Sequence, residues 1–255
     1  MKFCFRRAAA MLLALVMLLA LCACGGEEKA PETEELPAPA KPTEELPAPA
    51  KPVDTPTPEP TPAGEDYLER ITFLGDSTTY GLGYYDMVDD ARVWTPASGT
   101  LALFNQSWAT IVYPATKEEI PIRDAVTDAK PDILCITLGV NGVSMMDEAA
   151  FKAEYKALVT DIQSISPDTK IICNSMYPVE ADYEHIDSIN NVKITAANGW
   201  IADVAAECGV KYIDTYSKLV GADGFLVEDY GNGDGIHLDP DGFEIVLQNL
   251  MDNPV

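Results

Sequence analysis

Histidine is scarce: His185 and His237 are the only two in 255 residues. Any chemistry that needs an imidazole base has a choice of two positions. Cysteine is also scarce beyond the first segment, where only Cys135, Cys173 and Cys208 remain. That number is odd, so no disulfide framework is implied, and no cysteine pair has the spacing of a zinc site. Cys135 and Cys173 lie in apolar strand-like runs and Cys208 near a helix end, so all three read as small core hydrophobes. Positive charge is the next shortage: 17 Lys+Arg stand against 41 Asp+Glu, a net charge of −24. From Asp66 onward the count is 11 against 31, a net −20. Such a surface repels phosphate backbones, which excludes nucleic acid as a partner and leaves solubility as its plain use. The Asp-rich stretch from Asp229 to Asp241 fits no register of an EF-hand calcium loop, so no metal is expected.

One long apolar run exists, Ala8–Leu21, behind a basic start at Lys2, Arg6 and Arg7. It is too short to span a bilayer comfortably and reads as a secretory signal over residues 1–23. It ends in Leu21-Cys22-Ala23-Cys24-Gly25, which resembles the lipobox of bacterial lipoproteins, with Cys24 as the lipidated residue. An ordinary signal peptide with a chance cysteine is the alternative. Acyl chains on Cys24 would hold the protein on the extracellular face of the cell membrane, and the membrane is a partner through that anchor alone.

Residues 24–65 read as a disordered Pro/Glu-rich tether. Thr33–Pro42 recurs as Thr43–Pro52, and Thr-Pro and Glu-Pro steps follow to Pro62. Proline this dense favours an extended chain that could reach on the order of 120 Å. A spacer is the plain reading, and a proline-rich ligand for a partner domain the alternative.

Residues 66–255 suffice for one domain. Near-continuous apolar runs at Ile71–Leu74, Asp132–Leu138, Lys170–Ser175 and Val210–Asp214 imply strands buried on both faces, as in a parallel sheet. A weaker strand falls near Ala91–Trp94. Helices are expected over Ile120–Ala129, Asp147–Ser164, Ile186–Cys208 and Pro240–Asp252. Asp147–Ser164 places Phe151, Tyr155, Leu158, Val159 and Ile162 on one stripe. The βα alternation argues for a doubly wound, three-layer α/β domain.

Three segments carry chemistry. Ile71–Leu74 runs into a glycine-bounded, hydroxyl-rich turn, Gly75-Asp76-Ser77-Thr78-Thr79-Tyr80-Gly81-Leu82-Gly83, where ligands of open α/β sheets bind. Ser77 there needs a base to become a nucleophile. Gly231-Asn232-Gly233-Asp234-Gly235-Ile236-His237 is a shaped loop that sets Asp234 three residues before His237, close enough to orient its ring. A plain surface turn is the rival. Leu138-Gly139-Val140-Asn141-Gly142 follows a central strand, so the Asn141 amide is a candidate oxyanion donor or merely an Asn-Gly turn. His185, among acidic residues before a helix, is the competing base.

Together, in this order, Gly75-Asp76-Ser77, Gly139-Val140-Asn141 and Asp234-Gly235-Ile236-His237 resemble the SGNH (GDSL-type) hydrolases over Ile71 to about Asn249. The resemblance implies a flavodoxin-like three-layer α/β/α sandwich around a parallel sheet. It implies Ser77 as nucleophile, His237 as base and Asp234 as orienting acid, with oxyanion donors at Ser77, Asn141 and Gly99, the glycine after the weak strand. Gly142 stands where the family usually has Asp. The signature Gly-x-Ser-x-Gly of another serine-hydrolase class occurs nowhere. The expected activity is therefore esterase chemistry without metal or cofactor. With an exported tether, the expected substrates are acylated small molecules or carbohydrates, such as O-acetyl groups of a wall polymer. Two rivals stand: a binding lipoprotein that uses the cleft without catalysis, and a flavin-type phosphate cradle at Gly75–Gly83.

Overall fold

In the computed structural model, residues 61–255 are described. The signal, the lipidation at Cys24 and most of the tether fall outside these residues. Five parallel strands form the central sheet: β1 (Ile71–Gly75), β2 (Val93–Trp94), β5 (Ile133–Thr137), β6 (Lys170–Asn174) and β7 (Lys211–Ile213). Their order is β2-β1-β5-β6-β7. Counting only these strands along the chain, that is 2-1-3-4-5, the flavodoxin-like arrangement, with its switch point between β1 and β5.

Strand alternation sorts side chains into two cores. Leu74, Leu134, Ile136, Ile171 and Cys173 face one side, under α3 (Ile122–Ala129), α4 (Glu148–Ile165) and α5 (Asn191–Cys208). Ile71, Phe73, Ile133, Cys135, Ile172 and Ile213 face the other, under α1 (Glu65–Leu68), α2 (Ser77–Tyr84), α6 (Tyr216–Leu219) and α7 (Pro240–Asp252). The expected stripe on α4 is buried as a set: Phe151, Tyr155, Leu158, Val159 and Ile162. Cys135 and Cys173 are buried free thiols, whereas Cys208 is only partly covered. Burial pushes the Cys173 thiol up to about 12, which keeps it protonated and inert. The packing reaches back ahead of Asp66, where the Ala63 amide donates to the Met251 carbonyl at 2.8 Å.

Three expectations need correction. The segment read as a hydroxyl-rich turn is helical: Ser77 opens α2, and Asp76 caps it by accepting from the Thr78 amide at 3.0 Å. Two threonines and two glycines are poor helix formers, so the sequence hides this helix and tertiary packing supplies it. The helix expected from Ile186 begins at Asn191, because the Asn190 side chain caps it by accepting from the Lys193 amide at 3.1 Å. Ile120 and Pro121 belong not to a helix but to β4 (Glu118–Pro121), which pairs antiparallel with β3 (Thr110–Tyr113). That ribbon is short, and its second strand is mostly exposed and acidic, so it lacks the apolar alternation that marks a strand.

The register of β1 with β5 places Gly75 opposite Thr137. The segments that follow, Asp76-Ser77 and Leu138 to Asn141, therefore leave the sheet side by side at the switch point. Gly75 is required by close approach: an added Cβ would overlap the Thr79 side chain and come within 2.8 Å of the Thr137 carbonyl oxygen.

Candidate active site

Ser77 sits at the first position of α2, fixed by the cap at Asp76. The loop before α7 brings the histidine to it. The loop is closed by the Asn232 amide donating to the His237 carbonyl at 3.0 Å and the Asp239 amide donating to the Tyr230 carbonyl at 3.0 Å. Asp234 Oδ1 accepts from the amides of Ile236 at 3.1 Å and His237 at 3.0 Å. Its Oδ2 is then 2.7 Å from His237 Nδ1, and His237 Nε2 is 2.8 Å from Ser77 Oγ. Two segments 160 positions apart thus converge on one hydroxyl. Partial burial pushes the Asp234 carboxyl up, but its bonds to the His237 amide and ring and the Ile236 amide outweigh this and hold it below its ordinary value. It is therefore ionised and fixes the ring with Nε2 toward the serine. His185 lies in the turn before α5, with its ring edge-on to Tyr183 at 5.6 Å, and makes no hydrogen bond to Ser77.

The segment after β5 puts Asn141 over the capping carboxylate. Asn141 Nδ2 donates to Asp76 Oδ2 at 2.8 Å and has a longer contact, 3.4 Å, with the Leu101 carbonyl. Asp76 belongs to the Gly75-Asp76-Ser77 motif, but its partnership with Asn141 is not among the sequence expectations. Its signal is the bare adjacency of a carboxylate to the serine. Asp76 is fully buried and also accepts from the Thr78 hydroxyl at 2.7 Å. Burial pushes its carboxyl up to about 6, opposed by both Thr78 bonds, the His237 charge and the Asn141 amide.

This shift has a consequence for stability. The folded-state value lies above that of a free carboxyl (about 3.9), so the native protein holds this proton more tightly than the unfolded chain. The Asp76 contribution is therefore most favourable below about pH 4, falls as pH rises toward about 6, and is level beyond. The size is roughly 3 kcal/mol. Denaturant unfolding of the wild type and Asp76→Asn at pH 4 and pH 7 reads it as a difference. The variant should gain on the wild type by about that amount across this interval. An unchanged difference would show that Asp76 titrates normally.

Gly99 lies next to Ser77, since an added Cβ would be 3.5 Å from Ser77 Cβ. Its orientation differs from expectation. The Gly99 amide donates to the Pro96 carbonyl at 2.9 Å, and its carbonyl accepts from the Ser77 amide at 2.7 Å. Both backbone donors assigned to an oxyanion hole are thus engaged within the protein. An incoming oxyanion can take the Ser77 amide once the Gly99 carbonyl turns away. Gly99 has φ of +72°, a conformation that glycine enters and leaves without a Cβ penalty.

Residues 73–245 match the GDSL-like lipase/acylhydrolase family. The chain belongs to this family. It is a serine ester hydrolase of the GDSL/SGNH type. No curated protein matches the chain. Among solved structures, a GDSL-like lipase from Bacteroides thetaiotaomicron superposes with a TM-score of 0.51 at 16% identity, covering 78% of this chain and 93% of that one. The acetyl xylan esterase AlAXEase superposes with a TM-score of 0.50 at 16% identity, covering 72% of this chain and 99% of that one. At such identities the likeness carries the fold. The hydrolase has Thr78 at the fourth position of the Gly-Asp-Ser motif, where the hydroxyl contributes a further bond to Asp76. The Gly142 amide closes the turn that carries Asn141 by donating to the Gly139 carbonyl at 2.9 Å.

Proposed function

We propose that the hydrolase removes short acyl groups, such as O-acetyl, from carbohydrate or wall polymer at the cell surface, through an acyl-serine intermediate. The observation that carries this reading is the continuous chain Ser77 Oγ–His237 Nε2 and His237 Nδ1–Asp234 Oδ2, at 2.8 and 2.7 Å. In the first half-reaction Ser77 Oγ bonds to the ester carbonyl carbon while its proton passes to His237 Nε2. The carbonyl oxygen becomes an oxyanion held by the Asn141 amide and, once the Gly99 carbonyl has turned away, by the Ser77 backbone amide, while the Gly99 amide stays with the Pro96 carbonyl. The carbon–oxygen bond to the alcohol then breaks, and His237 returns the proton to the departing oxygen. Water, deprotonated by the same ring, attacks the acyl carbon; the bond to Ser77 Oγ breaks, His237 returns the proton to Oγ, and the acid is released. Asp234 keeps the ring oriented throughout and stabilises the imidazolium.

The surface location is supported by the apolar start, the lipobox-like Leu21–Gly25 and the proline-rich spacer. An exported enzyme on such a spacer meets extracellular polymers, which favours acylated glycans over cytosolic thioesters. A panel of p-nitrophenyl esters from acetate to decanoate, followed by acetylated glycans, tests the substrate. Acetate should give the highest kcat/KM, and acetic acid should be released from the glycan. Faster turnover of the decanoate would overturn the short-chain reading.

A further inference from the structure

Ser77 stands between two clefts. One, of about 370 Å3, is bordered by Ser77 and His237 together with Tyr80, Tyr84, Leu238 and Phe243. The other, of about 440 Å3, includes Ser77, Tyr80, Pro96, Ser98, Gly99 and Lys117, without the histidine. Tyr80 divides them. The reaction decides which half of an ester enters which cleft. The departing alcohol oxygen must receive its proton from His237 Nε2, so the alcohol lies on the His237 side. The acyl group stays bonded to Ser77 and turns toward Gly99.

The alcohol side is therefore the cleft walled by tyrosines. Tyr80 and Tyr84 follow Ser77 by three and seven residues and share one face of α2. Their ring centroids are 6.0 Å apart with a 32° tilt. They are 52% and 66% exposed and adjacent, so they form one continuous apolar surface beside the serine. Tyr84 is anchored toward the core. Tyr84 packs edge-on against Tyr85 at 4.9 Å, and Tyr85 lies 6.3 Å from the buried ring of Phe243. Gly81, between the two tyrosines, admits Phe243 against the helix, since a Cβ there would come within 2.7 Å of Phe243 Cζ. The result is an aromatic wall whose two outer rings, among the described residues, remain largely open to solvent.

An aromatic face is negative at its centre and attracts polarised C–H groups. The broad face of a pyranose presents several such groups in one plane, while its hydroxyls point to the rim. We infer that Tyr80 and Tyr84 form the subsite for the pyranose ring of an O-acylated carbohydrate, with the acyl group in the cleft beside Gly99. The inference rests on the serine-esterase reading above and specifies the orientation of the ester within that site.

The test compares kcat/KM for a mono-O-acetylated methyl xylopyranoside with that for ethyl acetate, whose alcohol has no ring. In the full chain carrying Tyr80→Ala and Tyr84→Ala, the ratio should fall by about tenfold or more, mainly through KM for the sugar ester. Tyr80→Phe with Tyr84→Phe should restore the ratio to within about twofold, because the ring face suffices. The deacetylated methyl xylopyranoside should inhibit the wild type competitively and the alanine variant at least about tenfold more weakly. An unchanged ratio overturns the assignment. So does a loss in the alanine variant confined to longer acyl chains, which would make the tyrosines an acyl wall. If Ser77→Ala abolishes ethyl acetate hydrolysis while the tyrosine variants leave the ratio unchanged, the esterase reading stands and this one fails. If the wild type hydrolyses neither ester, both fail.

Discussion

Ser77→Ala should lower kcat/KM for p-nitrophenyl acetate by at least about 10⁴-fold, with the thermal midpoint essentially unchanged. Among the described residues, the Ser77 hydroxyl is the group that His237 Nε2 contacts, at 2.8 Å, and its removal leaves that ring nothing to activate. The substitution deletes one oxygen at a partly exposed helix start, so the fold has little to lose. His237→Ala should cost a comparable factor, because an unassisted serine hydroxyl is a weak nucleophile at neutral pH. The decisive point is the combination. Residues that act as one unit are not additive, so the double variant should be no slower than the slower single variant by more than a few fold. Steady-state kinetics on the three proteins reads this directly. Additive losses would mean that the 2.8 Å contact between Ser77 Oγ and His237 Nε2 is not used in the reaction.

Asn141→Ala should lower kcat by about 10²–10³-fold, corresponding to about 2.7–4 kcal/mol, with little change in KM. The amide has two hydrogens. Asp76 takes one at 2.8 Å, and the other has only the 3.4 Å contact with the Leu101 carbonyl. That second hydrogen is the donor left for a developing oxyanion, and the buried carboxylate of Asp76 fixes its direction. Because the charge exists only in the transition state, the loss belongs in kcat. Asn141→Asp should be at least as slow, since it removes the donor and places a second carboxylate against Asp76. A variant that keeps kcat within about threefold, or loses only KM, would remove Asn141 from the oxyanion hole.

Much of this arrangement could be read in the sequence, and the reasons differ from part to part. The four strong strands were legible because burial on both faces demands unbroken apolar runs, as in Ile133–Thr137. The α4 stripe was legible because helical spacing concentrates burial on one face. The chemical residues were legible through scarcity and adjacency: two histidines, one of them three residues after an aspartate. What could not be read depends on where backbone hydrogen bonds go. The helix Ser77–Tyr84 is hidden by poor helix formers and exists because Asp76 caps it and Phe243 packs into Gly81. The β3–β4 ribbon has too little apolar alternation to announce itself. At Gly99 the sequence marks the position, but the direction of its peptide is a property of the folded turn: amide to Pro96, carbonyl to the Ser77 amide. The Asp76–Asn141 bond joins residues 65 apart and follows from the β1–β5 register.

The central claim is that the Ser77 hydroxyl, activated through His237, becomes acylated. Labelling with a fluorophosphonate probe, read by intact mass and by peptide mapping, tests it most directly. The folded wild type should gain a single adduct on the peptide containing Ser77, and Ser77→Ala, His237→Ala and heat-denatured wild type should gain none. Folded, ester-hydrolysing protein that takes up no label at Ser77 would contradict the account.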